Sequence, residues 1–147
     1  MIAVEPLADR EAIDRILRAP EIAPKITHDG REPGYITHPL VSYWGAWVDD
    51  ELVGVFLTVR FSRWEVETHA AILRAGRHHA RDLARMYLAC IFDDPEIERV
   101  TAYVMATLPS AANFCRKVGF EYEGRRRNAC RVDGQLTDVL IYGLVRR

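Results

Sequence analysis

Three ionisable side chains, two glutamates and a histidine, share one face of a predicted strand in segment 64–73, WEVETHAAIL. An unpaired ionisable group is costly on an internal strand, so these residues are predicted to serve a partner or a reaction. Imidazole accepts a proton readily near neutral pH, which makes His69 the predicted general base and Glu67 the residue that orients it or binds a cation. The alternatives are a core histidine at position 69 and a salt bridge from Glu67 to Arg60 or Arg63.

The stretch 20–39 contains four prolines and two glycines, a composition that predicts irregular structure or short helical turns. Long irregular segments are uncommon unless they cover or line a site, so this one is a candidate substrate loop. Side chains in a loop have less packing to do than those in a strand, and Tyr35 and His38 are therefore predicted substrate contacts. The remaining aromatic candidates are predicted to be mostly hairpin core: Tyr43, Trp44, Trp47 and Tyr142.

Strand and helix patterns alternate along the chain that must position these residues. Mixed connections between them predict an α/β fold, a single domain over residues 1–147 with a mixed, mostly antiparallel sheet of six to seven strands flanked by helices on both faces. In chain order we predict a strand over 2–7 and a helix that Asp9 caps and that ends near Pro20, followed by strands over 42–48, 52–61 and 64–73. A helix over 80–92, a strand over 99–105 and a helix that begins at Pro109 and ends at Gly119 come next. The chain closes with strands over 120–132 and 136–145, which an Asp133-Gly134 turn joins.

Composition limits the classes of partner. The formal net charge of -1, with 49% hydrophobic and 28% charged residues, gives no global reason to expect nucleic acid or an anionic membrane. Basic residues concentrate between Arg116 and Arg131, so any anion-binding function is local. No apolar run reaches membrane-span length and the start lacks a signal-peptide pattern, so a cytoplasmic protein is expected. The odd number of cysteines, Cys90, Cys115 and Cys130, favours reduced and mostly buried thiols over disulfides or a metal site.

The last third of the chain joins a helix to a hairpin through a Lys-x-Gly-Phe stop at 117–120 and a Glu-Gly pair at 123–124. Together with the Asp-Gly turn, Asp138 and Tyr142 of the hairpin, this pattern resembles the GNAT superfamily of acyl-CoA N-acyltransferases. Within that superfamily it resembles the branch of the ribosomal-protein N-terminal acetyltransferases. The motifs cover roughly residues 67–145, and the order of elements is similar over nearly the whole chain.

The resemblance implies an N-acetyltransferase that moves an acetyl group from acetyl-CoA to a primary amine by direct, base-assisted attack. The amine would belong to a protein N-terminus, a lysine or a small molecule, and acetyl-CoA would be a cosubstrate with no metal required. Strand amides near the end of the Glu67 strand would hold the oxyanion, and amides opening the next helix would hold the pyrophosphate. The implied cofactor-binding residues are Ala71, Ile72, Arg74, Gly76, Arg77, His78, His79 and Ala80.

Several positions depart from the family pattern. In AGRHHA, Ala75 stands where the family's loop has a basic residue and His78 where it has a central glycine, which resembles the loosened loops of phage-associated members. Leu108 stands where many relatives have asparagine. Cys115 stands where many have a tyrosine acting as general acid, and its place on the inner stripe of its helix predicts a core thiol instead.

The three consecutive arginines at 125–127 border the predicted acceptor site. Alternation along a strand sends Arg125 and Arg127 one way and Arg126 the other. They are predicted either to keep a sheet edge solvated or to bind an acidic acceptor or a phosphate, with Arg125 as the substrate-binding candidate.

Two other classes of function compete with catalysis. A GNAT-shaped binding protein that has lost activity would account for His78, Leu108 and Cys115. A nucleic-acid-binding module would use the basic residues of 116–131, but the near-zero net charge argues against it. The edge of the C-terminal hairpin would also support a homodimer.

Overall fold

The computed structural model describes all residues, 1–147, and its strands and helices fall where the hydrophobic pattern predicts them. The 3-10 helix is an addition, and a short second helix lies in the segment 20–39, where short helical turns were one of the two predictions. The elements are β1 (Ile2–Pro6), α1 (Arg10–Leu17), α2 (Ala23–Ile26), β2 (Val41–Val48), β3 (Glu51–Arg60), β4 (Glu65–Ile72), the 3-10 helix (Arg74–His79), α3 (Ala80–Phe92), β5 (Arg99–Met105), α4 (Pro109–Val118), β6 (Glu121–Val132) and β7 (Gln135–Val145).

The seven strands form one sheet in the order β1-β2-β3-β4-β5-β7-β6. Every neighbouring pair is antiparallel except β4 and β5, which run parallel. One apolar cluster lies where α1 packs on the sheet, and a larger one lies where α3 and α4 pack on the opposite face. The predicted fold class is confirmed, and β4, with its ionisable residues, is the central strand.

Local chemistry explains where the helices and turns begin and end. The Asp9 carboxylate accepts a hydrogen bond from the Ala12 N–H at 3.1 Å and so caps α1. Gly119 has φ +120°, a conformation that glycine adopts readily, and it ends α4 as predicted. Asp133 and Gly134 both have positive φ, as a two-residue hairpin between twisted strands requires. No helix is both long enough and apolar enough to span a lipid bilayer.

A buried group of three hydroxyls ties α3 to the sheet beside β4. The Tyr87 hydroxyl accepts a hydrogen bond from Thr68 Oγ1 at 2.9 Å and is also hydrogen-bonded to Thr58 Oγ1. The Tyr87 ring stacks on Phe56 with a centroid distance of 4.4 Å. Burial raises the pKa of Tyr87, so the phenol stays protonated and can satisfy both threonines.

Replacing Tyr87 with phenylalanine is expected to lower the free energy of unfolding by about 1–3 kcal/mol, because the buried hydroxyl of Thr58 and the half-buried hydroxyl of Thr68 lose their partner. Tyr35→Phe is the matched control, since the Tyr35 ring is half-buried and its hydroxyl has little to lose. Denaturant unfolding of both variants measures the difference. Equal stability of the two variants would contradict the importance of this hydroxyl group.

Candidate active site

The site begins where the two parallel strands diverge. The ladder between β4 and β5 ends at the Thr68–Ala102 pair, although β4 continues to Ile72 and β5 to Met105. Beyond Thr68, β4 is bonded only to β3. The sheet therefore has a gap at its centre, beside the last residues of β4.

Hydrogen-bond parity decides which backbone groups of β4 face this gap. Leu73 N–H donates to Val53 O at 2.7 Å and Phe61 N–H donates to Glu65 O at 3.0 Å, so the odd-numbered residues of β4 bond to β3. The N–H and C=O groups of Ala70 and Ile72 point the other way, where β5 has diverged, and they have no strand partner. The amide of Ala71, predicted to be available, is instead part of the β3 ladder. Ile72 has the available amide that was predicted for it, and Ala70 has one that was not predicted.

A cleft of about 630 Å³ follows the gap. Residues from both faces of the sheet line it, and most of them are apolar. From the face that α3 and α4 cover come Phe56, Ala70, Ala84, Tyr87, Leu108, Phe114 and Cys115, and from the opposite face come Ile26, His28, Asp29, Glu67, His69, Tyr103, Met105, Arg126 and Val139. The cleft thus connects the two sides of the sheet beside Glu67 and His69.

Glu67 and His69 form a pair at the edge of this cleft. His69 Nε2 lies 2.5 Å from Glu67 Oε2, and the two side chains are 42% and 28% exposed. Because a carboxylate only accepts, the hydrogen of this bond lies on Nε2, and in the neutral imidazole Nδ1 then has a free lone pair. Neither structural alternative for these residues is found: His69 is not in the core, and Arg60 and Arg63 pair with Asp94 and Glu96 instead.

A network of hydrogen bonds and ion pairs lies next to this pair on the same face of the sheet. Thr101, in register with Glu67, is buried and donates from Oγ1 to Glu65 Oε2 at 2.6 Å. Arg99 donates to Thr101 Oγ1 at 2.9 Å and ion-pairs with Glu123 at 2.5 Å. The Glu123 carboxylate is the main cause of the raised pKa of Arg99.

The predicted pyrophosphate loop is a 3-10 helix that continues into α3, not an open loop. Its i to i+3 hydrogen bonds use backbone N–H groups: Gly76 N–H donates to Leu73 O at 2.9 Å, and Ala80 N–H donates to Arg77 O. Arg74 N–H donates to the Glu21 carboxylate at 2.9 Å. Fewer amides are therefore free for an anion than the family resemblance implies. Arg77 and His78 are exposed, His79 and Ala80 are half-buried, and none of the four lines the cleft.

Gly76 is explained by packing. It is buried, its φ is not in the left-handed region, and a Cβ at this position would lie 2.6 Å from Val53 Cγ2 on β3. This close approach holds the 3-10 helix against the sheet at the end of β4. Gly76 was predicted to bind the cofactor, and that role stays a prediction; its contact with Val53 gives it a packing role.

Gly76→Ala is expected to destabilise the protein by about 1–3 kcal/mol, because the added methyl group overlaps Val53. Combining it with Val53→Ala should cost at least about 1 kcal/mol less than the sum of the two single changes, since each relieves the other. Chemical denaturation of the four proteins of this cycle measures the coupling. Strict additivity would mean that the contact does not hold the helix in place.

The candidate substrate loop contributes different residues from those predicted. Tyr35 stacks on Tyr43 at 5.0 Å, away from the cleft, and His38 is exposed and accepts a hydrogen bond from Leu40 N–H at 3.1 Å. Instead His28 and Asp29 line the cleft, and their side chains pair at 2.9 Å.

The tip of this loop is fastened to the far hairpin. Arg131 N–H donates to Asp29 Oδ1 at 2.7 Å, and Asp29 N–H donates to Arg131 O at 2.8 Å. The Arg131 amide, and after it His28, lowers the pKa of Asp29. Sequence patterns identified the loop but had no signal for a contact across 102 positions.

The arginines of β6 divide as alternation predicts, but with the roles exchanged. Arg125 ion-pairs with Asp138 at 2.9 Å and lies outside the cleft, so the structure places it away from the predicted substrate contact. Arg126 lines the cleft. A bulge follows, in which Asn128 has φ +49° and its N–H donates to Asp138 Oδ1 at 2.8 Å.

Cys115 lines the cleft from α4 and is half-buried against the larger core. Burial raises its pKa to about 11, so the group is a neutral thiol at physiological pH. All three cysteines are free, as predicted, although only Cys130 is fully buried. No group of three or more His, Cys, Asp or Glu side chains is placed to hold a metal ion.

Similarity to known proteins is found in structure. No protein-family model matches the chain. A spermidine N-acetyltransferase from Vibrio cholerae in complex with CoA and spermine is 15% identical, with TM-score 0.80 over 98% of this chain and 95% of that one. A single-residue variant of the Vibrio cholerae spermidine N-acetyltransferase SpeG is 15% identical, with TM-score 0.79 over 98% and 93%. A probable acetyltransferase is 20% identical, with TM-score 0.65 over 74% and 64%.

Identities this low establish the architecture and nothing finer. The overall architecture is shared with N-acetyltransferases over nearly the full length of both chains. The chain has the GNAT fold.

Proposed function

We propose that the protein is an N-acetyltransferase that moves an acetyl group from acetyl-CoA to a primary amine by direct attack. The observation that carries the proposal is the cleft through the sheet, where unpaired amides of β4 lie beside the Glu67–His69 pair. Acetyl-CoA supplies a thioester whose carbonyl carbon is open to attack by an amine. The likeness to N-acetyltransferases, one of them bound to CoA, supports the same reading.

The gap fits the arm of acetyl-CoA because that arm is extended and carries amides of its own. The free N–H and C=O groups of Ala70 and Ile72 offer it the pairing that β5 would otherwise provide. The same N–H groups are the candidate donors to the oxyanion that forms on the carbonyl oxygen of the thioester when the amine attacks its carbon. The 3-10 helix fits the pyrophosphate less well, so exposed Arg77 and His78 side chains are the proposed contacts there.

His69 is the proposed base. An amine with a pKa of about 10 is mostly protonated at neutral pH and must lose a proton to attack. His69 Nδ1 takes that proton, directly or through one water, while Nε2–H remains bonded to Glu67. The Glu67 carboxylate orients the ring and stabilises the positive charge that the imidazole gains. The neutral amine nitrogen then bonds to the acetyl carbon to give the oxyanion, and the carbon–sulfur bond breaks as the oxyanion collapses and releases the CoA thiolate. The proton that the attacking nitrogen still carries passes to water as the amide forms.

The CoA thiolate that leaves must then acquire a proton. With a pKa of about 11, Cys115 is a weaker acid than an ordinary thiol near pKa 8.5, so proton transfer from it to the thiolate is uphill. We therefore propose that water protonates the thiolate and that Cys115 is a packing residue. Leu108 and Phe114 supply an apolar wall next to it.

Several finer predictions stay proposals. The Lys-x-Gly-Phe stop and the β6–β7 hairpin support membership of the ribosomal-protein-acetyltransferase branch, and the changed AGRHHA segment supports the likeness to loosened, phage-associated loops. The exposed edge of β6 supports a homodimer.

A binding protein that has lost catalysis is the second candidate, because the 3-10 helix uses amides that a pyrophosphate would need. The two candidates differ in turnover. A binding protein would hold acetyl-CoA or another acyl-CoA without transferring the acyl group to any amine.

The test is an assay of ligand-free protein with acetyl-CoA and a panel of amines that includes peptides, lysine derivatives, amino acids and polyamines. We expect release of CoA thiol and an acetylated product, both abolished or strongly reduced in His69→Ala. Tight binding of acetyl-CoA with no transfer to any member would favour the binding protein. Absence of both acetyl-CoA binding and acetyl transfer would reject both candidate functions.

A further inference from the structure

Arg126 is the one charged side chain of the cleft that has no partner within the chain. The other two formal charges in the lining are satisfied: Glu67 pairs with His69, and both oxygens of Asp29 are used by His28 and by the Arg131 N–H. The guanidinium of Arg126 is in no ion pair or hydrogen bond, whereas its neighbour Arg125 pairs with Asp138. Arg126 is therefore the one formally charged group of the cleft whose hydrogen-bonding capacity the chain leaves unused.

Strand register puts this charge on the same face as the proposed base. Arg126 pairs with Val139 of β7, and Val139 pairs with Met105 of β5. Met105 shares its face with Thr101, which lies opposite Glu67. Paired residues share a face, so all of these side chains project to the side of Glu67 and His69. Two strand spacings, about 10 Å, separate Arg126 from β5.

The surface between the two charged regions is apolar. Met105 and Val139 bridge the distance from β5 to β6, and Ala129 and Cys130 line the cleft beside Arg126. A guanidinium against such a surface is a specific donor for a planar or tetrahedral anion, because its N–H groups bind two oxygens at once.

Resting on the acetyl transfer proposed above, we propose that the acceptor is an amine that also carries an anionic group, a carboxylate or a phosphate, which Arg126 binds. The amine end lies at His69, and the apolar linker lies along Met105 and Val139. This acceptor differs from the spermine that is present with CoA in the similar Vibrio cholerae structure.

The experiment compares matched acceptors that differ only in the anion. Ala-Glu amide is paired with Ala-Gln amide, phosphoethanolamine is paired with ethanolamine, and spermidine is the polycation. In the unmodified protein, kcat/KM should favour the anionic member of at least one pair by about 10- to 100-fold, the range for hydrogen bonds to charged groups. The pair that shows the preference identifies carboxylate or phosphate as the anion.

Arg126→Gln should bring that preference to about 1, mainly through KM, because the residue binds the acceptor and takes no part in bond making. Arg127→Gln is the matched control and should keep the preference, since Arg127 does not line the cleft. A preference near 1 in the unmodified protein, an unchanged preference in Arg126→Gln, or spermidine as the best acceptor would overturn this inference while acetyl transfer stands. Absence of both acetyl-CoA binding and transfer would instead reject the proposed function.

Discussion

Replacing His69 with alanine is expected to lower kcat for acetyl transfer by about 10²- to 10⁴-fold, the usual contribution of a positioned general base. Affinity for acetyl-CoA should stay the same, because the imidazole lies on the face of β4 opposite α3. The substitution leaves the free N–H and C=O groups of Ala70 and Ile72, which face the gap, in place. Steady-state kinetics and a separate titration with acetyl-CoA measure the two quantities. Added imidazole should restore part of the rate by entering the vacated position.

Two further variants sharpen this result. Glu67→Gln keeps the shape of the side chain but removes the charge that stabilises the imidazolium, so an intermediate loss of kcat is expected. His38→Ala is the control, since His38 is exposed and outside the cleft. An unaltered kcat in His69→Ala with bound acetyl-CoA would exclude His69 as the base.

Replacing Ala70 with proline is expected to lower kcat/KM by about 10²- to 10³-fold and to weaken acetyl-CoA binding. Proline removes the N–H that faces the gap, and loss of one donor to an oxyanion typically has this effect. The substitution should not disrupt the sheet, because the N–H of residue 70 points away from β3 and has no ladder bond to lose.

Ala71→Pro is the matched control for this prediction. The Ala71 N–H belongs to the ladder with β3, so the control should lose stability, whereas Ala70→Pro should keep a melting temperature close to that of the unmodified protein. Thermal unfolding and kinetics of both variants separate the effects. Full activity of Ala70→Pro would show that this amide contacts neither the acetyl-CoA arm nor the oxyanion.

Period-2 and period-3.6 patterns were sufficient for the fold and for the Glu67–His69 pair. Both depend on short-range alternation, and the strand that carries the pair is unambiguous. Backbone availability was not predictable in the same way. Whether Ala70 or Ala71 faces the gap depends on which strand each amide bonds to, and that follows from register with β3 and from the early end of the β5 ladder.

The acceptor side shows the same limit. Alternation separated Arg125 from Arg126 correctly, but the partner Asp138, which holds Arg125 outside the cleft, lies on another strand. His28 and Asp29 reach the cleft only because Asp29 bonds to Arg131 at the far end of the chain. The AGRHHA segment was expected to be an open loop, and its residues instead complete a 3-10 helix that Gly76 packs on Val53.

The proposed function depends on binding of acetyl-CoA, and thermal unfolding of ligand-free protein with and without acetyl-CoA measures that binding. A ligand present at 100 times its Kd adds about 2.7 kcal/mol, which for a chain of this size raises the melting temperature by roughly 5–10 °C. We expect that rise for the unmodified protein with acetyl-CoA and a smaller one for Ala70→Pro under the same conditions. An unchanged melting temperature of the unmodified protein at millimolar acetyl-CoA would contradict the proposed function.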